Sequence, residues 1–224
     1  ASGKVKVGPS SITNGVLEVD LDEVGGIRRL ASSEHGVLLD DPLNTLVIHP
    51  DRPRRWEAWD LDRDYTDVRL LQDRDAADIR VVEEHALRGV IEVRRTIGTS
   101  SSIRQRYILE AGARVLRIES SLDWQEDHAL LRSEFAPGIR SRFATYGIQF
   151  GAIERPTHRN TSWDKAAFEV PGHLWMDLSE PGRGLAVIDD GSRFGRSCHG
   201  NTLGLSLVRS TSFPDPGADR GRHD

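Results

Sequence analysis

The sequence between residues 149 and 180 concentrates side chains that could bind a sugar. Arg155, His158, Asn160 and Asp164 supply hydrogen-bond donors and acceptors, and Trp163 lies among them. An indole ring can pack on the C–H face of a sugar while such polar groups bind its hydroxyls. These five residues are therefore candidate substrate-binding residues. From the residues alone, an equally good alternative is a loop whose polar side chains only form hydrogen bonds with its own backbone.

The sequence contains no motif of a complete catalytic or metal centre. Its single cysteine, Cys198, excludes intrachain disulfides and cysteine-based zinc motifs. The eight histidines show no His-x-x-x-His spacing, and neighbouring residues Cys198 and His199 would point to opposite faces of a strand. Gly-x-Ser-x-Gly and a phosphate-binding glycine loop are also absent from the sequence. We therefore predict no catalytic residue and no bound metal in this chain.

A charge-rich stretch, residues 51–78, contains the aromatic residues Trp56, Trp59 and Tyr65. Aspartates alternate between residues 60 and 64, as in a calcium loop, but the glycine and the final glutamate of an EF-hand loop are missing. Exposure of these three aromatic rings to solvent would be unfavourable. We therefore expect a long loop folded onto the domain rather than a linker.

The composition of the 224 residues limits the classes of partner. Charged residues make up 29% of the chain, apolar residues 37%, and the formal net charge is -5. This acidic balance argues against sequence-independent binding of nucleic acid. No apolar run approaches the roughly 18 residues of a membrane helix, so we expect no membrane partner. The single cysteine favours a reducing compartment, which predicts a cytoplasmic protein.

Alternation of apolar and polar residues with a period of two predicts that the chain consists mainly of strands. Leu17–Leu21 is the clearest case, with Asn14-Gly15 and Gly25-Gly26 as turn signals on its two sides. The further predicted strands are Thr45–His49, Ile79–His85, Val90–Ile97, Ile103–Leu109, Val115–Trp124, Leu130–Phe135, Thr145–Phe150, His173–Leu178, Gly184–Ile188 and Thr202–Val208. Such closely spaced strands predict an all-β fold, as an antiparallel sandwich or barrel.

The organisation of the chain favours one domain over residues 1–224. No internal repeat is visible, and the one helix-like stretch, residues 61–75, is acid-rich and lacks an apolar stripe. The sequence opens without methionine and ends in a loop-like segment, residues 213–224. We interpret it as a piece of a longer protein.

Several segments share their residue types and order with a known family. They are Trp56-Glu-Ala-Trp59-Asp60-Leu-Asp62 with Tyr65, Ile148 to Asp164, Phe168-Glu-Val-Pro-Gly-His173 with Trp175 and Asp177 to Glu180, His199-Gly-Asn201 with Leu205 to Ser210, and residues 214–223. In these segments the chain resembles the C-terminal β-domain of the family-38 glycoside hydrolases, the α-mannosidases, and especially their bacterial and cytosolic branch. Arg196-Ser197-Cys198 and Met176 depart from the family pattern.

The resemblance implies a large antiparallel β-sandwich, the supersandwich of galactose-mutarotase-like domains. It also implies an upstream barrel and a helical bundle of the same protein, which hold zinc or another divalent metal and supply the nucleophile and acid/base of a retaining α-mannosidase. This chain alone would then be non-catalytic. Its partners would be that barrel and mannose-containing glycans.

The resemblance further implies another strand beyond His223, so we expect the last strand of the sheet to be missing. A strand edge left open in this way could pair two copies of the chain into a homo-oligomer. Two alternatives stay open. A stand-alone carbohydrate-binding module would bind sugar as an isolated chain, whereas a mutarotase-like enzyme would need a paired acid and base in a groove of the sandwich.

Overall fold

The computed structural model of the chain describes residues 3–39, 41–70, 76–193, 195–215, 217 and 219–224. The described strands are β1 (Lys6–Val7), β2 (Ser11–Thr13), β3 (Leu17–Leu21), β4 (Ile27–Ser32), β5 (Gly36–Val37), β6 (Thr45–Pro50), β7 (Asp78–His85), β8 (Arg88–Ile97), β9 (Ser101–Glu110), β10 (Arg117–Trp124), β11 (Ala129–Phe135), β12 (Phe143–Ile148), β13 (Gly151–Pro156), β14 (Val170–Pro171), β15 (Trp175–Glu180), β16 (Arg183–Ile188), β17 (Gly195–His199), β18 (Thr202–Ser210) and β19 (Gly221–His223). Helical structure in the described ranges is a 3-10 helix at Arg63–Asp67 and a helix α1 at Ser162–Ala166. The predicted all-β class is confirmed.

The strands are distributed over two compact units. Unit 1 comprises Ala1–Leu38, Leu71–Asp127 and Gly217–Asp224, and unit 2 comprises Leu39–Leu70 and His128–Pro216. Unit 1 contains the sheets β1-β2-β3-β4-β5 and β19-β10-β9-β8-β7, and unit 2 contains the sheets β14-β17-β18-β11-β6 and β13-β12-β15-β16. The described strands thus form four sheets, and no single sandwich contains them all. The assignment of the whole chain to one domain stays a prediction.

In unit 1 the alternating pattern of β3 is realised as predicted. Leu17, Val19 and Leu21 are buried, while Glu18 between them is exposed. The Asn14-Gly15 turn leads into this strand, with Gly15 at a φ of 78° that favours glycine. The buried Asn14 side chain accepts hydrogen bonds from the backbone N–H groups of Val16 and Leu17, both at 2.9 Å. The turn signal in the sequence therefore had a specific local cause.

The departures from the sequence prediction include β4, a six-residue strand inside its sheet, together with short or edge elements. Strand β13 and helix α1 were not predicted. The expectation that residues 213–224 are loop-like is wrong for β19, which pairs with Leu122–Trp124 of β10. Of the helix-like stretch at residues 61–75, the structure shows a 3-10 helix at Arg63–Asp67, while residues 71–75 lie outside the described ranges. The missing strand beyond His223 stays a prediction. None of the described helices is long and apolar enough to cross a membrane.

Unit 2 has its own apolar core, which fixes the sheet that leads to the candidate sugar-binding residues. Ala144 and Tyr146 of β12, Met176 and Leu178 of β15 and Leu203 of β18 are fully or almost fully buried in it. Tyr146 pairs directly with Met176 across the two strands. This packing holds β12, and β12 in turn carries the edge strand β13.

Candidate functional site

Residues 155–164, here called the α1 region, contain all five candidate sugar-binding residues. The region starts on β13, which is an edge strand and places Arg155 opposite Ala144 of β12. It ends in α1, whose first residue is Ser162. The candidates therefore lie on a single excursion from one sheet, as the clustering in the sequence suggested.

Helix α1 forms because the sequence provides a reciprocal cap at its start. Thr161 is the N-cap residue, and its hydroxyl accepts a hydrogen bond from the Asp164 N–H at 3.1 Å. In return, the Thr161 N–H donates to Asp164 Oδ2 at 2.9 Å. Such a capping box satisfies two backbone donors that a helix start otherwise leaves unpaired. One of the candidate sugar ligands, Asp164, thus also holds the local backbone.

The structure brings His158 and Asp164 together as an acid–base pair. His158 Nδ1 lies 3.4 Å from Asp164 Oδ2, and the His158 ring remains exposed. The hydrogen bonds from Thr161, and then the nearby His158, lower the pKa of the Asp164 carboxyl below its ordinary value. Asp164 is therefore ionised at neutral pH, and its carboxylate can accept hydrogen bonds from hydroxyl groups.

The other three candidates differ in their surroundings. Trp163 is 84% exposed on α1, and Asn160 is exposed in the preceding loop. Arg155 is directed elsewhere: its guanidinium carbon lies 4.9 Å from the centre of the Tyr146 ring, a cation–π contact. Its Nη1 atom is buried and has no hydrogen-bond partner among the described residues. Arg155 therefore packs against the core, while His158, Asn160, Trp163 and Asp164 share the excursion.

A second group of exposed aromatic residues was not foreseen. Residues 51–60, here called the Trp56 loop, follow β6 and contain Trp56, which is 73% exposed, and Trp59, which is 86% exposed. The expectation that the aromatic rings avoid solvent is wrong for both tryptophans, whereas the loop that carries them is tied to unit 2. It is right for Tyr65, which is buried. The difference arises because Tyr65 has partners distant in the sequence, described below.

The Trp56 loop is held from inside by Arg209 of β18. Its guanidinium pairs with the fully buried Asp51 carboxylate, including a 3.0 Å bond from Nη2 to Oδ1. The same Nη2 donates to the carbonyl oxygen of Glu57 at 2.9 Å and to that of Asp60. One arginine thus ties both the start and the end of the loop to the sheet of unit 2.

A second anchor fixes the loop at Glu57. Its Oε1 accepts hydrogen bonds from the Ser212 N–H at 2.8 Å and the Ser212 hydroxyl at 2.9 Å. His128 Nε2 lies 2.9 Å from the same oxygen. The bonds from Ser212 hold the pKa of Glu57 below its ordinary value. The loop is therefore an ordered element with two exposed rings.

A buried polar network connects the segments that follow the two tryptophan regions. Tyr65 donates from its hydroxyl to Glu169 Oε2 at 2.6 Å, and Arg132 donates to both of them. Arg132 also donates to the Ser197 hydroxyl at 2.5 Å, and the Ser206 hydroxyl donates to Glu169. Arg132 is almost fully buried, and burial raises the pKa of Tyr65 far above its ordinary value. The network is thus a neutral tyrosine bound to a buried ion pair.

The described residues do not fit the divalent metal that the resemblance implies for the longer enzyme. In the described part of the chain, no group of three or more His, Cys, Asp or Glu side chains is placed to hold a metal ion. Exposed indole rings beside carboxylate, imidazole and amide groups offer instead the chemistry that hydroxylated ligands require.

Comparisons of the sequence with known proteins identify its family. The family model for the glycosyl hydrolases family 38 C-terminal domain matches residues 12–217. The chain is 39% identical over 220 residues to Alpha-mannosidase 2C1 of Homo sapiens, which covers 97% of this chain and 21% of that protein. It is 34% identical over 236 residues to Alpha-mannosidase of Saccharomyces cerevisiae, which covers 100% of this chain and 21% of that protein.

The solved structures extend the similarity in fold. An alpha-mannosidase from Enterococcus faecalis V583 superimposes with a TM-score of 0.82 at 14% identity, over 100% of this chain and 29% of that one. At that identity the likeness concerns the fold alone. The chain spans about a fifth of the length of the curated relatives it matches. Because the family model covers nearly the whole sequence, the chain belongs to the C-terminal domains of glycosyl hydrolase family 38.

Proposed function

We propose that the chain is the carbohydrate-associated C-terminal domain of a retaining, metal-dependent α-mannosidase that hydrolyses terminal α-mannosides in mannose and glycan catabolism. The observation that carries this proposal is the family match over residues 12–217, with relatives named alpha-mannosidases. The chain spans about a fifth of those relatives. We therefore assign the nucleophile, the acid/base and zinc or another divalent metal to an upstream barrel of the same protein.

In this proposal the α1 region acts by binding the glycan rather than by breaking the glycosidic bond. The exposed Trp163 ring stacks on the C–H face of a mannose unit, while the ionised Asp164 and the exposed His158 bind its hydroxyls. Asn160 adds an amide on the same excursion. Holding the substrate in place lowers the entropic part of the barrier to hydrolysis.

The proposal includes the finer features of the longer protein. The resemblance supports a galactose-mutarotase-like fold type, although the described strands form four antiparallel sheets rather than one sandwich. The single cysteine supports a reducing, cytoplasmic location. The partners in this proposal are the upstream barrel and mannose-containing glycans.

The test uses the intact enzyme that contains this chain and an α-mannoside substrate. His158→Ala and Trp163→Ala should each lower kcat/KM, with a lost hydrogen bond or ring contact worth about 1–3 kcal/mol. The thermal midpoint should stay unchanged, because both side chains are exposed and neither is part of the helix cap. Lys165→Ala is the matched control, an exposed α1 residue outside the candidate set.

The result that contradicts the proposed binding role is an unchanged kcat/KM in both variants. If Asp164→Asn then lowers stability with normal kinetics, the polar groups of the α1 region serve only to order their own loop. The isolated chain should hydrolyse no aryl α-mannoside even with added zinc. Metal-dependent turnover by the chain alone would overturn the assignment of the chemistry to an upstream barrel.

A stand-alone carbohydrate-binding module is the second candidate. The exposure of Trp163 favours it, because a ring that is 84% accessible can stack on a sugar without any further domain. The two candidates separate on one observation: a module binds mannose oligosaccharides as an isolated chain with the same affinity as inside the longer protein. An affinity that depends on the upstream part supports the first candidate.

A further inference from the structure

We propose that Trp56 and Trp59 form a second carbohydrate-binding platform, which stacks on neutral hexose units of a glycan. The sugar-binding residues assigned above all belong to the α1 region. The platform rests on the proposed function only for the choice of a mannose glycan as its ligand. Four features of the Trp56 loop carry this inference: exposure, backbone conformation, anchoring and neighbouring polar groups.

Both tryptophan rings are among the four most exposed large hydrophobic side chains of the described residues. Trp56 is 73% and Trp59 86% exposed, whereas Trp124 is completely buried. The N–H groups of Trp59 and Asp60 donate to the Trp56 carbonyl at 2.7 and 2.8 Å, so one tight turn carries both tryptophans. Two large aromatic side chains exposed on the same turn are typical of an interaction site.

The backbone conformation of Trp56 is one that a tryptophan side chain disfavours. Trp56 has a φ of 57°, in the left-handed region that a bulky residue rarely adopts and that glycine or asparagine adopts readily. A strained conformation of this kind persists when the surrounding structure fixes it, and it is concentrated at ligand sites. The indole ring, rather than the turn, therefore accounts for tryptophan at this position.

The anchoring makes the platform suitable for a weakly interacting ligand such as a sugar. Arg209 binds the buried Asp51 carboxylate together with the Glu57 and Asp60 carbonyls, and Ser212 binds the Glu57 carboxylate. The turn is thus fixed before any ligand arrives. A preorganised loop loses little conformational entropy on binding, so a few stacking contacts suffice for measurable affinity.

The polar groups beside the rings suit the hydroxyl groups of a sugar. Arg54 Nη2 lies 2.8 Å from Asp64, and the Arg54 N–H donates to Asp62 at 3.1 Å. Arg52 and Arg55 of the same loop are also exposed, and their guanidinium N–H groups can donate to sugar hydroxyls. The Asp60 side chain, which accepts one bond from the Leu61 N–H at 2.9 Å, retains acceptor capacity for hydroxyl donors. Stacking rings with hydroxyl acceptors match a neutral hexose.

The test is affinity electrophoresis of the 224-residue chain through gels that contain mannan. Trp56→Asn and Trp59→Ala should each weaken the retardation by mannan about tenfold, as expected for loss of one aromatic contact. Trp56→Asn should keep or raise the thermal midpoint, because asparagine tolerates the left-handed backbone. Leu87→Ala is the control, since Leu87 is exposed in the turn between β7 and β8 and should leave mannan binding unchanged.

Trp163→Ala, measured in the same gels, separates this inference from the proposed function. Weaker binding in Trp163→Ala but not in the Trp56 and Trp59 variants overturns the second platform and leaves the α1 region as the sugar site. Weaker binding only in the Trp56 and Trp59 variants supports the platform and counts against the α1 region. If mannan does not retard the chain at all, the platform is overturned. It is also overturned if the Trp56 and Trp59 substitutions change only the oligomeric state measured by sedimentation and not the mannan binding.

Discussion

The α1 region and the Trp56 loop both present exposed tryptophan, but they are held in opposite ways. Trp163 lies on a helix whose cap joins Thr161 and Asp164, which are three positions apart. Trp56 lies on a loop whose anchor, the pair of Asp51 and Arg209, joins residues that are 158 positions apart. The start of α1 is thus capped by residues of its own segment, although Thr157 of the α1 region also donates from its hydroxyl to the Ser141 carbonyl at 2.6 Å. The turn of the Trp56 loop, in contrast, is anchored mainly by residues distant in the sequence. A substitution at the anchor of one region should therefore leave the other region unchanged.

The exception is the buried network that both regions share. Tyr65 comes shortly after the Trp56 loop, Glu169 comes shortly after α1, and their hydrogen bond is completed by Arg132 of β11. Tyr65 also packs on Phe168, with ring centres 6.1 Å apart. A substitution in this buried network should therefore perturb both regions.

The largest effect should follow Arg132→Ala. The substitution leaves Glu169 mostly buried without its cationic partner, which typically costs about 3–5 kcal/mol of unfolding free energy. Urea denaturation measures the loss. The control is Arg29→Ala, which removes an exposed ion pair with Glu18 and should cost no more than about 1 kcal/mol. Equal losses in the two variants would contradict the structural importance of the buried network.

A smaller and more localised effect should follow Arg209→Ala. The substitution leaves the buried Asp51 without its cationic partner and should lower the unfolding free energy by about 3 kcal/mol, at the lower end of the range for a buried pair because Arg209 itself is partly exposed. Amide hydrogen exchange should speed up at Trp59 and Asp60, because their turn is no longer held, while the α1 region keeps its protection. Arg54→Ala, which removes an exposed pair nearby, serves as the control. Unchanged exchange in the Trp56 loop would show that Arg209 is not its anchor.

Thr161→Ala should have an effect confined to the other region. Removing the hydroxyl that caps α1 should cost about 1 kcal/mol. The fluorescence of Trp163 should change with the fraying of its helix, whereas hydrogen exchange in the Trp56 loop should stay as in the parent chain. An effect that spreads to the Trp56 loop would contradict the independence of the two regions.

The smallest effect is the change of stability with pH, which has the same sign in both regions. The pKa values of Asp164 and Glu57 are lowered in the folded chain, mainly by hydrogen bonds from Thr161 and Ser212 respectively. Their contribution to stability is thus complete above the unfolded-state values of about 3.9 and 4.3 and is lost as pH falls through the folded values. Stability measured between pH 7 and 3 should fall less steeply for Asp164→Asn. The same dependence of unfolding free energy on pH in the variant and the parent chain would contradict the lowered pKa of Asp164.

The sequence predicted those parts of the fold that depend on local patterns. Leu17–Leu21 was predicted with its exact bounds because alternation and a flanking Asn-Gly turn act within a few residues. The clustering of His158, Asn160, Trp163 and Asp164 on one excursion was likewise visible, since they are close in sequence. The membership in family 38 followed from motifs spread along the chain.

The remaining features depend on contacts that a single sequence does not display. Tyr65 is buried because Arg132 and Glu169 meet it, while Trp56 and Trp59 stay exposed although their types favour burial. The division into four sheets also follows from pairings such as β6 with β11, which are far apart in the chain. The cap at α1 was readable from a Thr-x-x-Asp spacing, but its short helix lacks the apolar stripe that marks longer ones.

One measurement tests the central claim that exposed tryptophans of this chain bind mannose glycans. The chain contains five tryptophans, so labelling with 5-fluorotryptophan gives one fluorine NMR signal for each, assigned with Trp→Phe variants. Added mannose oligosaccharide should shift the signals of Trp56, Trp59 and Trp163, while the fully buried Trp124 stays unchanged. A spectrum in which none of the three exposed tryptophans responds at saturating sugar would contradict the account.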